Sequence, residues 1–388
     1  MRGRFLGILV GLLAFAQGFA PKDALSYRPP EAALQSRRLA LAKTQLSLAK
    51  LGLAGRAQLR YGDELTASAG IALDLGEEKR LAAEKAVIEA EARLRAAIRD
   101  GVYRALKAHA ALWRAEAGLR AARLAVALAE LKQQAAAAKG AGPLALEDAR
   151  NALEDARIAL AEARLEAEAA AAEARALGLV GPAEPATLAF ALPPARADRA
   201  ARLALALAEA RAARARRDLL VLSADLAYQE AVALDLKAET AGPSLGLEVG
   251  PKNPLAKSGA WRVALAARLS LDPAAWTAVR DAELAAQATR LQNQEAERRR
   301  TRRLAEARTR VRLAERRLRL AERRRGLATS RQRSARLRRE RGVGSALDLA
   351  AARLEAARAE AEQARAWGAY LDAVKAYLDL ADGEWRVR

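Results

Sequence analysis

Gly342-Val343-Gly344-Ser345-Ala346-Leu347-Asp348 separates two very long helical runs, and Gly142-Pro143-Leu144-Ala145-Leu146-Glu147-Asp148 separates another pair two hundred positions earlier. In both stretches an Asp stands six residues after the first Gly. Glycine ends a helix because, lacking a Cβ, it takes positive φ without a clash. Pro143 then opens the next helix as a first-turn proline, and Ser345 opens its own as an N-cap. Each stretch reads as the tip of an antiparallel helical hairpin, with Gly142 and Gly342 as the helix-ending glycines. A chain built on two such tips is an internal duplication.

Composition supports long helices. Of 388 residues, 52% are hydrophobic but only 4% aromatic, and Ala, Leu, Arg and Glu dominate. There is no Cys and one His, which removes thiol nucleophiles, disulfides and Cys or multi-His metal sites. His109 shares a helical register with Val102, Leu106, Leu112 and Trp113 and reads as a packed side chain. No catalytic residue, cofactor or metal is expected.

The N-terminus reads as an export signal over residues 1–20. Arg2 and Arg4 precede an apolar run from Phe5 to Phe15, and small residues follow at Ala16, Gly18 and Ala20. No later stretch approaches roughly 18 to 20 uninterrupted apolar residues, so no transmembrane helix is expected. The formal charge is +20, and Arg298 to Arg341 alone holds 20 Arg against four Glu. Such a helix suggests nucleic acid. The export signal opposes that reading, and a solvated basic face is expected instead.

The order of elements repeats. A first repeat (21–181) holds a helix over 32–50, a β-hairpin, a long helix over 78–138, the first tip and a return helix over 145–177. Its hairpin pairs Ala57, Leu59 and Tyr61 with an alternation from Leu65 to Leu73, across a Gly62-Asp63 turn. A Pro-rich crossing follows (182–194). The second repeat (195–388) holds a helix to Leu222 and a strand with Leu226, Tyr228, Val232, Leu234 and Leu236 on one face. After a Gly- and Pro-containing loop over 240–259 comes a strand from Trp261 to Leu271. A long helix over 274–341, the second tip and a helix over 346–381 complete it. The first long helix would run roughly 90 Å, matched by a return helix and a shorter helix stacked end to end.

Heptads say how the helices pack. Leu304, Ala307, Val311, Ala314, Leu318, Ala321 and Ala328 follow an a/d pattern, and Leu313, Leu320 and Leu327 form a second seven-residue series on another side. A two-stranded coil needs one seam, whereas a helix with two neighbours in a cylinder wall needs two. Four strands with one apolar and one polar face suit a barrel with lipid outside and water inside. Four cannot close a water-filled barrel, so several chains must contribute.

With these residues in place, the chain resembles the TolC family of outer-membrane efflux proteins over its mature length. The duplicated order of helix, hairpin, long helix, tip and return helix is similar to that family's protomer. Gly342-Val343-Gly344-Ser345-Ala346-Leu347-Asp348, with Ala352 beyond, is similar to its second tip motif. Gly142 to Asp148, continuing to Ala152, is similar to the first, and Leu271-Asp272-Pro273 to its passage from last strand to long helix. Arg339 and Lys139 stand where the family places a bulky or aromatic residue.

The resemblance implies a mainly α fold forming a trimeric α-barrel of long antiparallel helices. It also implies a twelve-stranded transmembrane β-barrel in outer-membrane lipid. Its partners would be a periplasmic adaptor and an inner-membrane transporter, and its role that of a passive exit duct. The rival reading is a periplasmic coiled-coil tether without channel activity.

Candidate sites follow. Gly142, Pro143, Leu144, Gly342, Val343, Gly344 and Ser345 would form the adaptor-docking tips, or simply end and start helices. Asp348 would form an acidic ring at the entrance, or cap its helix. Asp148 would pair with Arg339 across neighbouring hairpins as a weak latch. Tyr228 and Trp261 would sit at a membrane interface, or pack as ordinary strand residues.

Overall fold

The computed structural model describes residues 20–51, 53–61, 65–74, 77–229, 232–239, 242–249, 260–269 and 273–388. The export signal up to residue 19, the Gly62-Asp63 turn and Leu271-Asp272 lie outside the described residues. Six α-helices are present there: α1 (Pro30–Leu51), α2 (Glu77–Ala138), α3 (Pro143–Ala176), α4 (Arg199–Asp218), α5 (Pro273–Glu340) and α6 (Ala346–Ala381). The strong helix formers Ala, Leu, Arg and Glu fill them, which is why α2 and α5 continue for 62 and 68 residues. None of the described helices is long and apolar enough to cross a membrane.

Two compact units divide the chain, and each draws on both halves of the sequence. The first contains the segment up to Pro29 together with Ala96–Arg196 and Arg302–Arg388; the second contains Pro30–Arg95 and Ala197–Thr301.

The first unit holds the main core. Its centre is aromatic: Phe190, from the crossing segment, is fully buried, with its ring 6.0 Å from Trp367, 6.3 Å from Tyr370 and 4.9 Å from Trp385. The Phe190 N–H donates to the Tyr370 hydroxyl at 3.0 Å. The crossing is also stitched to the C-terminal tail by an antiparallel bridge, Phe190 to Val387, with Ala191 N–H donating to the Arg386 carbonyl at 2.8 Å. Arg99 is 7% exposed and satisfied on the same side, donating to Asp379 at 2.7 Å and to the Gly383 carbonyl at 3.2 Å. His109 is fully buried, with Nε2 3.0 Å from the Glu184 carbonyl, a packed histidine as its register predicts. Gly101 interrupts α2 without breaking it, because a Cβ there would meet the Pro29 ring at 2.5 Å.

The second unit holds a six-stranded antiparallel sheet. Its strands are β1 (Leu53–Tyr61), β2 (Leu65–Asp74), β3 (Leu220–Gln229), β4 (Val232–Glu239), β5 (Gly242–Val249) and β6 (Ala260–Leu269). They lie in the order β1-β2-β5-β4-β3-β6. The sequence reading expected four strands per chain, with a loop over 240–259. Instead the run from Leu226 to Leu236 folds back on itself, and β5 lies where the loop was expected. The reason is register: Leu226 pairs with Leu236 and Tyr228 with Leu234. A hairpin whose partners share numbering parity keeps the same alternation as one straight strand, so periodicity cannot separate them. β1 runs nine residues, through Gly55, and so begins before the alternation at Ala57, Leu59 and Tyr61.

A row of apolar residues lies in register across all six strands. Register puts Leu53 beside Leu73, Leu73 beside Leu245, Leu245 beside Leu236, Leu236 beside Leu226 and Leu226 beside Val263. Alternate positions of the same strands hold Arg56, Ser68, Glu248, Asp235, Asp225 and Arg262. Among the described residues, β1 pairs only with β2 and β6 only with β3, so both edges of the sheet are open. Beside the sheet, α4 is tied to α2 by Arg211 and Arg214 on Glu78, at 2.8 and 3.4 Å, and to α5 by Arg290 on Glu209 at 2.8 Å. The hydrogen bond from Arg211 lowers the Glu78 carboxyl below its ordinary pKa, against the opposing effect of burial.

Candidate functional site

The two tips turn in the same way, but not on the residues the spacing suggested. At the second, Gly342 has φ 74°, its N–H donates to the Arg339 carbonyl at 3.0 Å, and the Val343 N–H donates to the Arg338 carbonyl at 2.9 Å. That pair of bonds is the Schellman termination of α5. At the first tip the same bonds are made by Gly140, with φ 68°: its N–H donates to the Ala137 carbonyl at 3.2 Å and Ala141 N–H to the Ala136 carbonyl at 3.1 Å. Gly142 has φ −65° and ψ 164° and is the N-cap of α3. Gly142 is therefore not the helix-ending glycine. Pro143 already carried the signal: a proline at the first helical position makes its predecessor the cap.

The second tip fixes its outgoing helix more tightly. The Ser345 hydroxyl accepts from the Asp348 N–H at 3.0 Å, and the Asp348 carboxylate accepts from the Ser345 N–H at 3.2 Å, a capping box. The Ser345 hydroxyl also donates to the Asp348 carboxylate at 2.7 Å, and this bond first, then that from the Ser345 N–H, lowers the pKa of the exposed carboxyl. Asp348 therefore caps α6, and it stands three residues past its cap. Asp148 stands six past Gly142 and has no such role. The equal Gly-to-Asp spacing in the sequence joins residues that are not structurally equivalent. Asp148 and Arg339 are both exposed, and no ion pair joins them within the described residues. Each tip also presents an apolar side chain to solvent, Leu144 at 79% and Val343 at 80% exposure. Gly344 packs closely, since a Cβ there would come within 3.1 Å of Arg338 and Arg339.

The two seams of α5 differ as their heptads predict. Ala307, Val311, Leu318, Ala321 and Ala328 are buried in their own unit. Leu313, Leu320 and Leu327 are 49%, 50% and 63% exposed. Similar uncovered series appear on α3, with Ile158 and Leu165, and on α1, with Leu34, Leu41 and Leu48.

Tyr228 and Trp261 are register partners. Tyr61 pairs with Leu65 at the end of β1 that is remote from α1. The sequence reading did not select Tyr61; its place at a strand end was the available signal. No group of metal-ligating side chains occurs among the described residues.

No family model matches the sequence, and no curated protein matches it. Solved structures do match in fold. The outer membrane protein VceC of Vibrio cholerae superposes with a TM-score of 0.57 at 18% identity, over 94% of this chain and 96% of that one. A membrane protein of Pseudomonas aeruginosa gives 0.57 at 18%, over 94% and 90%. CusC, described as forming a transmembrane channel, gives 0.56 at 16%, over 93% and 91%. The resemblance drawn from the tips thus holds for the fold: mainly α, with long helices, as in these solved structures.

Proposed function

We propose that this chain is one segment of the wall of an oligomeric outer-membrane exit channel. The observation that carries the reading is the pair of seams on α5, one buried within the chain and one left exposed at the same seven-residue spacing. A tether needs one seam, whereas a wall helix needs a neighbour on each side. The open sheet, with Leu53, Leu73, Leu245, Leu236, Leu226 and Val263 in register across it, supports it independently, because a bilayer demands both closure and an apolar exterior. β1, β2, β3 and β6 have the nine to ten residues that a tilted spanning strand requires.

In this reading three copies close the channel, the helices project into the periplasm, and the duplicated halves (21–181 and 195–388, joined by 182–194) supply matching hairpins. With six strands per chain, the expected barrel of twelve no longer follows. The tips, through Leu144 and Val343 beside Gly142, Pro143, Gly342, Gly344 and Ser345, meet a periplasmic adaptor that is attached to an inner-membrane transporter. Transport is driven by that partner, and this chain conducts passively without a cofactor. Tyr61, Tyr228 and Trp261 mark one membrane interface. Membrane fractionation tests this: the protein should require detergent for release and then run at the mass of three chains. A water-soluble monomer would favour the tether.

A further inference from the structure

Arg303, Arg310, Arg317, Arg324, Arg331 and Arg338 recur every seven residues along α5, and all six are exposed. The two seams of the helix fix the side on which this line stands. From the exposed line of Leu313, Leu320 and Leu327 to the buried seam of Ala307, Val311, Leu318 and Ala321 is about 130° one way round and about 230° the other. The arginine line is the one heptad position inside the narrower arc. A helix in a closed ring turns the narrower arc between its two neighbours toward the bore and the wider arc outward. Packing within the chain agrees. Glu315 and Glu322 stand in the wider arc, where other segments cover the helix. Thr187 of the crossing donates to Glu322 at 2.9 Å, and Arg388 of the C-terminal tail pairs with Glu315 at 3.4 Å.

Only part of this line is neutralised by α6. Arg331 and Arg324 reach Glu355 and Glu362, at 2.5 and 4.0 Å. Those acids belong to a seven-residue series, Asp348, Glu355, Glu362, Ala369 and Ala376, which changes from acid to alanine away from the tip. The antiparallel register that sets Arg331 beside Glu355 and Arg324 beside Glu362 sets Arg317 beside Ala369 and Arg310 beside Ala376. The neighbouring acids of α6 are engaged elsewhere, Asp372 by Lys107 at 2.6 Å and Asp379 by Arg99 at 2.7 Å. Among the described residues Arg303 and Arg317 have no ion-pair partner, and Arg310 has Glu306 of its own helix at 4.0 Å. We infer, on the channel reading above, that Arg303, Arg310 and Arg317 form a basic belt in the bore and that the channel selects anions. The belt runs about 21 Å along the helix, against a Debye length of about 8 Å at physiological salt, so an ion in transit passes through its field. Planar guanidinium forks suit carboxylate and phosphate groups, which makes acidic small molecules the conducted class.

Bilayer recording of the purified full chain under a potassium chloride gradient tests the belt. The reversal potential should show chloride several-fold more permeant than potassium. That preference should shrink at 1 M salt, where the Debye length falls to about 3 Å. Arg303→Gln, Arg310→Gln and Arg317→Gln together should lower the chloride-to-potassium permeability ratio several-fold, and Arg310→Gln alone should lower it in the same direction. Arg308→Gln, Arg312→Gln and Arg319→Gln remove the same charge from the wider arc and should leave the ratio unchanged. All three variants should keep the wild-type oligomer mass. A wild-type current that favours potassium, a ratio indifferent to the belt substitutions, or an equal fall in the wider-arc variant overturns the belt and leaves the channel reading standing. A wild-type oligomer that passes no current removes both.

Discussion

The two return helices, α3 and α6, follow equivalent tips and are nearly equal in length, 34 and 36 residues, yet they live in different surroundings. α6 buries fourteen residues, including Trp367, Tyr370 and Leu371, and so is held by its own chain. α3 buries only Leu153 and Ala174, so its remaining apolar residues need a partner from outside. Of the two return helices, one is thus built into the core and the other is left largely exposed. The tips follow the same division: α6 starts on a capping box, α3 on a glycine without a side-chain cap.

Substitutions on the two helices should separate accordingly. Trp367→Ala should destabilise the single chain by about 3–5 kcal/mol, read as a fall in apparent melting temperature in detergent. If a residue so placed proved neutral, α6 would not be the spine described. Next come the tip glycines. Gly140→Ala should cost about 1–2 kcal/mol, because a Cβ at φ 68° is strained even with open space around it. Gly142→Ala, at negative φ, should cost less than half as much, and the reverse order would restore the spacing-based assignment. Ser345→Ala should cost about 1 kcal/mol through loss of the cap. Leu165→Gln on α3 should change single-chain stability by less than about 0.5 kcal/mol while reducing the assembled fraction. Equal loss of both would mean that the face is not an interface.

The smallest effect is in pH. The folded-state pKa of Asp348 lies below its ordinary value of 3.8, so its contribution is full above that value and is lost as pH falls through the lowered one. Asp348→Asn should flatten the melting profile only in that acid range. The Glu116 carboxyl shifts the other way, raised chiefly by burial. Its folded state holds the proton more tightly, so its contribution declines as pH rises from the ordinary carboxylate range through the raised pKa.

Much of this was legible in one sequence. Helix ends came within a few residues, since Ala-rich runs bounded by Gly and Pro leave little choice. The two seams of α5 were legible because each keeps its own seven-residue spacing. The β3–β4 hairpin was not, because its partner-matching parity imitates a single strand. Gly140 was missed because Gly140-Ala141-Gly142 offers two glycines and the equal spacing to Asp favoured the wrong one. The aromatic centre was hidden for another reason: Phe190 and Trp367 are far apart in sequence, and no local period connects them.

The most direct test is single-channel recording of the purified protein in a planar lipid bilayer, with its mass measured in the same detergent. The account predicts discrete, steady currents from an oligomer of three chains, lost when Leu165→Gln and Leu320→Gln together prevent assembly. A well-folded protein of single-chain mass that never conducts would contradict it.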